Sequence, residues 1–169
     1  SKDKPWCAYL SHYAVHVPLQ AKRDIIKKYE AKKPGRLHQH AVMAAMIESV
    51  DEGVGRLVAK LEETGQRDNT IIFFFSDNGG YGPATDMAPL HGYKGNYFEG
   101  GIRVPFFVNW PGKIQGGQKS AEPIIGVDLY PTFLELAGGD RPGQPLDGVS
   151  LVSLFRGRKE SLGRRPLSV

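Results

Sequence analysis

The run Thr70-Ile71-Ile72-Phe73-Phe74-Phe75-Ser76-Asp77-Asn78-Gly79-Gly80 carries the strongest fold signal in the sequence. Residues 71–75 are continuously apolar, which is typical of a central parallel strand that is buried on both faces. Polar residues and glycines follow at once. Because ligands in open α/β sheets bind beyond the carboxyl ends of the strands, the run predicts a strand with a candidate site directly after it.

Other segments predict further strands and helices. Residues 6–10 are short and aromatic-rich, and residues 104–110 end at a Pro-Gly pair, so both are predicted to be buried strands. Apolar residues recur at helical spacing over residues 37–64. Gly53 and Gly55 weaken this helix, and we expect close packing against another element to explain them. Three shorter helices are predicted, at residues 21–31, 128–136 and 150–155.

This alternation of strands and helices predicts the α/β fold class with a parallel sheet. Three strands are few for such a sheet, because both faces of every strand must be covered. We therefore expect the chain to be part of a larger domain.

Composition excludes several classes of protein. With 40% apolar and 24% charged residues, the chain is too apolar to be disordered. No uncharged apolar run reaches the roughly 18 residues that would predict a membrane span. The lone cysteine, Cys7, excludes an internal disulfide framework, and we expect it to be a buried thiol in the first strand. Residues 1–5 lack an apolar core, so we expect no signal peptide in this chain.

The formal net charge of +4 is concentrated locally. Residues 22–36 contain seven basic side chains against two acidic ones. The stretch lacks a recognisable groove-reading motif, so we expect a solvated helix face and no nucleic-acid partner.

Asp77 and Asn78 are candidate metal ligands. They place a carboxylate and an amide oxygen just past a predicted strand, and Ca²⁺ and Mg²⁺ prefer oxygen ligands. The two following glycines allow the backbone to turn sharply beside a ligand. The same residues could equally form a turn that caps the next element.

Lys94 lies on a glycine-flanked loop before the last predicted strand. A flexible ammonium group in such a loop is suited to contact an anionic oxygen, although most lysines are simply exposed. Glu99 and Arg103, four residues apart, predict a structural ion pair or a helix-end contact.

His16 lies on the loop after the first predicted strand, where Pro18 fixes the turn. A histidine there could donate a proton or a hydrogen bond to a leaving group, or it could be structural. His38 and His40 are predicted to be solvated residues of the long helix.

Taken in order, these segments resemble the sulfatases of the alkaline phosphatase superfamily, and the resemblance covers nearly the whole chain. It implies a mixed, mainly parallel sheet flanked by helices, with residues 1–169 as a single partial domain, the C-terminal half of the catalytic domain. The motifs that carry it are the His16-x-Pro18 loop, Ser76-Asp77-Asn78-Gly79-Gly80, Gly92-x-Lys94-Gly95, Glu99-Gly100-Gly101-Ile102-Arg103-Val104-Pro105, Val127-Asp128-Leu129-Tyr130-Pro131-Thr132 and Asp147-Gly148-Val149-Ser150-Leu151.

The resemblance implies a sulfuric ester hydrolase that cleaves a small-molecule or carbohydrate sulfate ester to an alcohol or phenol and sulfate. Asp77 and Asn78 would bind Ca²⁺, with Mg²⁺ as an alternative. Lys94 and His16 would be catalytic residues that contact substrate, and His91 would help to bind it. Family members commonly work in the periplasm, the lysosome or the medium.

The chain also departs from the family pattern. The family's nucleophile is a formylglycine made within Cys/Ser-x-Pro/Ala-x-Arg, and this motif is absent from the sequence. We therefore expect formylglycine in a longer parent protein, and an inactive fragment here, truncated at both ends and able to self-associate through its exposed surfaces.

Two other functions fit the same residues. A phosphoester or phosphonate hydrolase of the superfamily could use Lys94 and the cation in the same way. Alternatively, the chain could be a non-catalytic domain that binds a sulfated ligand.

Overall fold

A computed structural model describes residues 4–158 and 161–163. It shows an α/β arrangement of helices with a small sheet. Among these residues, no helix combines the length and the hydropathy needed to cross a membrane. The elements are α1 (Arg23–Glu30), α2 (Ala41–Glu63), β1 (Ile72–Phe75), α3 (Glu99–Ile102), β2 (Phe106–Asn109), α4 (Leu129–Leu136) and α5 (Val152–Phe155), with 3₁₀ turns at Arg67–Asn69 and Gly126–Asp128.

The predicted helices are confirmed, but the long one begins later than expected. His40 precedes α2 as its N-cap, and its Nδ1 accepts a hydrogen bond of 3.2 Å from the backbone N–H of Met43. This bond satisfies one of the free N–H groups of the first turn. His38 and His40 are exposed as expected, but the prediction that they belong to the helix is wrong.

Gly53 and Gly55 also differ from expectation. A Cβ added at either position would have no atom of another element within 4 Å. Close packing therefore does not explain these glycines in the described chain.

Helices α1 and α2 pack together through Ile25 and are joined by an ion pair. Lys28 Nζ donates to both carboxylate oxygens of Glu48, at 2.8 and 2.7 Å. Hydrogen bonds from Lys28 and Tyr29 lower the pKa of Glu48, and the same pairing raises the pKa of Lys28. Ile25 of α1 and Met43 of α2 are both buried.

The sheet is smaller and more open than predicted. Strands β1 and β2 are hydrogen-bonded neighbours in a two-stranded sheet. Phe74 is 39% exposed and Phe107 is 63% exposed, so the prediction of strands buried on both faces is wrong. An apolar sequence alone does not make a strand buried, because burial on both faces requires another layer of structure packed against each face of the sheet.

Residues 6–10 form no strand in the described structure, again against prediction. Tyr9 and Leu10 are largely exposed, and Cys7 is an exposed thiol rather than a buried one. A strand requires a neighbour that completes its hydrogen bonds. Here the segment is held instead by a side chain, since Trp6 Nε1 donates to Gln66 Oε1 at 2.9 Å.

The chain divides into two compact units. One contains residues up to Thr70 together with Phe74–Phe106, and the other contains Ile71–Phe73 and the residues from Phe107 onward. The candidate site residues all belong to the first unit.

The second unit is organised around a buried carboxylate. Asp128 is 1% exposed, and its two oxygens accept hydrogen bonds from the backbone N–H groups of Ile125 (2.9 Å) and Val149 (3.0 Å). Thr132 donates to the Asp128 carbonyl oxygen and accepts from the N–H of Leu151. These bonds tie α4 to the segment before α5.

Candidate active site

The chain turns immediately after β1, and this turn holds both predicted metal ligands. Asp77 is exposed and Asn78 is half-buried. The Asn78 side-chain amide donates a hydrogen bond of 2.6 Å to Asp77 Oδ2, and Ser76 Oγ donates to the Asn78 carbonyl oxygen at 3.2 Å. The two side chains therefore lie side by side beyond the end of the strand.

These donors suit a hard cation in kind but not in number. Ca²⁺ takes 6–8 oxygen ligands, and a carboxylate with one amide oxygen supplies about three. Within residues 4–158 and 161–163, no cluster of three or more His, Cys, Asp or Glu side chains could hold a metal ion. Asp77 and Asn78 thus fit part of a Ca²⁺ site that needs further oxygens.

Gly79 brings this turn against α3. Its N–H donates a hydrogen bond of 2.8 Å to the carbonyl oxygen of Gly101. A Cβ on Gly79 would overlap with the carbonyl oxygen of Gly100, so no other residue fits this contact without movement of the backbone. The sequence shows the glycines, but it does not show which backbone segment they approach.

The loop that carries Lys94 meets the same turn. The N–H of Lys94 donates a hydrogen bond of 2.9 Å to the carbonyl oxygen of Gly80. Two backbone hydrogen bonds, one at Gly79 and one at Gly80, therefore join the Asp77–Asn78 turn to the segment that contains Lys94. The structure brings these three candidate residues onto neighbouring loops.

A tight turn spans Tyr93 to Asn96. The Asn96 N–H donates to the Tyr93 carbonyl oxygen at 2.9 Å, and Gly95 has a φ of +91°, as the third residue of a type II turn requires. The Asn96 side chain also accepts a hydrogen bond of 3.1 Å from the Tyr93 N–H. Asn96 was not among the predicted site residues, although Asn next to Gly is a recognisable turn signal.

His91 lies at the other end of this loop. It is exposed, and its ring packs against that of Phe98 in an edge-to-face arrangement, with 4.4 Å between the ring centroids. The N–H of Gly100 donates to the His91 carbonyl oxygen at 2.7 Å. The backbone of His91 is therefore fixed against α3, while its side chain remains accessible.

His16 is held by local contacts. Its Nδ1 is 2.9 Å from the carbonyl oxygen of Val17, and its ring centroid is 5.7 Å from that of Tyr13. In the described part of the chain, no hydrogen bond or ring contact joins His16 to the loops of Asp77 and Lys94. The structure thus does not bring His16 to the other candidates through a direct contact.

Glu99 and Arg103 form the expected structural pair. Arg103 Nη1 is 3.5 Å from Glu99 Oε1, and both side chains are exposed, with Glu99 at the start of the short helix α3 and Arg103 directly after its end. This helix was not predicted from sequence, because two of its four residues are glycines.

A family model described as sulfatase matches residues 1–139 of the chain. Two similar proteins are a sulfatase of Formosa agariphila, 38% identical over 167 residues, and human steryl-sulfatase, 34% identical over 168 residues. These matches cover 91% and 94% of this chain but 30% and 27% of the relatives. The chain therefore spans less than a third of the length of these relatives.

Solved structures show the same likeness. Ps i-CgsB, in complex with k-i-k-neocarrahexaose, superimposes with a TM-score of 0.76 at 39% identity, over 86% of this chain and 32% of its own. BT4656, in complex with its substrate D-glucosamine-2-N,6-O-disulfate, gives a TM-score of 0.62 at 29% identity, over 88% and 28%.

Proposed function

The chain belongs to the sulfatase family, and on that premise we propose that it supplies part of the active site of a sulfuric ester hydrolase. The enzyme would cleave a sulfate ester to an alcohol or phenol and inorganic sulfate. One observation supports this proposal above all others. The hydrogen bond from the Lys94 N–H to the Gly80 carbonyl oxygen holds the loop of a cationic side chain beside the Asp77–Asn78 turn.

Lys94 is proposed as a catalytic and substrate-binding residue. Its ammonium group would contact the anionic oxygens of the sulfate ester, where negative charge grows as the ester bond breaks. His91, exposed on the same loop, would contact the substrate beside Lys94. His16 would donate a proton or a hydrogen bond to the departing oxygen, which requires its loop to approach the substrate in the complete site.

Asp77 and Asn78 are proposed as two ligands of a Ca²⁺ ion, or of Mg²⁺ in its place. When bound, the cation would stabilise negative charge on the transferred sulfuryl group. Asp77 contributes the negative charge that attracts it, and the hydrogen bond to Asn78 orients the Asp77 carboxylate.

The nucleophile is proposed to come from outside these 169 residues. The formylglycine motif Cys/Ser-x-Pro/Ala-x-Arg does not occur in the sequence, and Cys7 is followed by Ala8-Tyr9-Leu10-Ser11. We therefore expect the chain by itself to be inactive. We also propose that residues 1–169 are the C-terminal half of a catalytic domain with a mixed, mainly parallel sheet, of which β1 and β2 are two strands.

A sulfated carbohydrate is the proposed substrate class. Two structural relatives hold a neocarrahexaose and a glucosamine disulfate, and each covers most of this chain in superposition.

Activity of the longest natural form of this protein, matured to carry formylglycine, tests the proposal. Hydrolysis would be measured on sulfated saccharides and on an aryl sulfate, with matching phosphate esters assayed in parallel. We expect sulfate release that is strongly reduced in Lys94→Met and in Asp77→Ala, and retained in Lys113→Met, at an exposed lysine outside the site. Hydrolysis of phosphate but not sulfate esters would move the assignment to a phosphoester hydrolase, and saccharide binding without hydrolysis of either would indicate a binding domain.

A further inference from the structure

We infer that Asn96 is a positioning residue for Lys94, because its side chain closes the turn that carries the lysine. The inference rests on the proposed role of Lys94 in sulfate-ester hydrolysis. It adds a residue that was not among the site residues predicted from the sequence.

The hydrogen bonds of the turn carry the inference. Asn96 contacts both backbone polar groups of Tyr93, since its N–H donates to the Tyr93 carbonyl oxygen at 2.9 Å and its Oδ1 accepts from the Tyr93 N–H at 3.1 Å. The next N–H along the chain, that of Lys94, donates to Gly80. The backbone on the N-terminal side of the lysine is therefore fixed by successive hydrogen bonds.

Asn96 is half-buried, and its side chain turns back to its own loop. A Cβ added to Gly92, which has a φ of +79°, would lie 3.0 Å from Asn96 Oδ1. A Cβ on Gly101 would overlap with the Asn96 carbonyl oxygen. By contrast, the flanking Tyr97 is 82% exposed. Asn96 thus lies close to the backbone of both Gly92 and Gly101.

The position of the Lys94 ammonium group depends on how firmly the backbone of its turn is held. The ammonium group stands at the end of a flexible four-carbon stem, so its location relative to the Asp77–Asn78 turn is set by the backbone from which the stem starts. A displacement of about 1 Å in a catalytic group can lower the rate about 100-fold. Asn96→Ala removes the acceptor and frees the Tyr93 N–H, whereas Asn96→Asp retains an acceptor at the same reach.

The test is a double-mutant cycle on the longest natural form of the protein, matured to carry formylglycine. Wild type, Lys94→Met, Asn96→Ala and the double variant would be compared by kcat/KM on a sulfate ester that the wild type hydrolyses. We expect Asn96→Ala to lower kcat/KM about 10- to 100-fold, and to cause no further loss in the Lys94→Met background. Asn96→Asp should recover most of the activity, and Asn69→Ala, an exposed asparagine outside the loop, should match wild type.

Two results would overturn the inference. The first is a kcat/KM that is unchanged in Asn96→Ala although it is lowered in Lys94→Met. The second is a double variant whose loss in kcat/KM equals the product of the two single losses, as a general structural defect would produce. Should Asn96→Ala not fold, Asn96→Ser, which shortens the acceptor, takes its place in the cycle. A wild type that hydrolyses no sulfate ester would instead defeat the proposed function, so the two failures are distinguishable.

Discussion

The N–H of Gly79 donates a hydrogen bond of 2.8 Å to the carbonyl oxygen of Gly101, and the backbones approach so closely that a side chain on Gly79 has no space. This contact joins the turn after β1 to the short helix α3. The arrangement of the candidate site therefore depends on the absence of a Cβ atom at residue 79.

Gly79→Ala should therefore destabilise the protein. The added Cβ would overlap with the Gly100 carbonyl oxygen, and overpacking of this kind costs typically 1–3 kcal/mol. Gly53→Ala is the matched control, because its Cβ would meet no neighbouring atom and should stabilise α2 by about 1 kcal/mol. Urea unfolding of both variants measures the free energies of unfolding, and equal stability of the two would contradict the close contact seen at Gly79.

Calcium affinity should be weak in this chain by itself. Asp77 and Asn78 provide about three of the 6–8 oxygens that Ca²⁺ requires. Calorimetric titration of Ca²⁺ should show little heat for the 169-residue chain, and tighter binding for the longest natural form that is lost in Asp77→Ala. Tight binding to the 169-residue chain that survives in Asp77→Ala would place the metal elsewhere.

Asp128→Asn should destabilise the second unit. Asn replaces one of the two acceptor oxygens of Asp128 with an NH₂ group, which can only donate, so either the Ile125 N–H or the Val149 N–H loses its partner inside the protein. Leaving a buried donor unsatisfied costs about 1–3 kcal/mol. Denaturant unfolding measures the loss, and Asp140→Asn, at an exposed carboxylate, provides the control.

Stability should also depend on pH through Glu48. Its folded pKa is lowered from 4.5 by hydrogen bonds from Lys28 and Tyr29, so its contribution is present above the unfolded value and is lost as the pH falls through the folded value. The difference in free energy of unfolding between wild type and Glu48→Gln should therefore shrink on acidification. Glu63→Gln, in an exposed pair with Lys60, should show a much smaller difference at every pH. A wild-type advantage that grew on acidification would reverse the expected sign.

Local sequence patterns predicted the positions of helices and turns better than the burial of these segments. The helix over Leu129–Leu136 and the turn after β1 follow from periodicity and turn residues, which act over a few positions. Phe107 and residues 6–10 were predicted to be buried but are largely exposed. Burial depends on which other surfaces cover a segment, and local sequence does not specify those surfaces. Apolar composition indicates only that covering would be favourable.

The candidate site was predictable to a similar extent. Asp77 and Lys94 are identifiable because each follows a recognisable element, and the hydrogen bond between Gly80 and Lys94 then brings their loops together. The role of Asn96 was not predictable, since it depends on a side chain turning back to its own loop.

The same bond between Gly80 and Lys94 also closes residues 81–93 into a loop whose two ends are fixed together. Residues added or removed at exposed positions such as Asp86 would change the outline of this loop without altering the spacing between its anchors. Even doubling the length of a flexible loop costs only about 0.6 kcal/mol in closure entropy. Under the proposed function, this segment is a position where substrate preference could diverge, or be redesigned, while the Asp77–Asn78 turn and Lys94 keep their places.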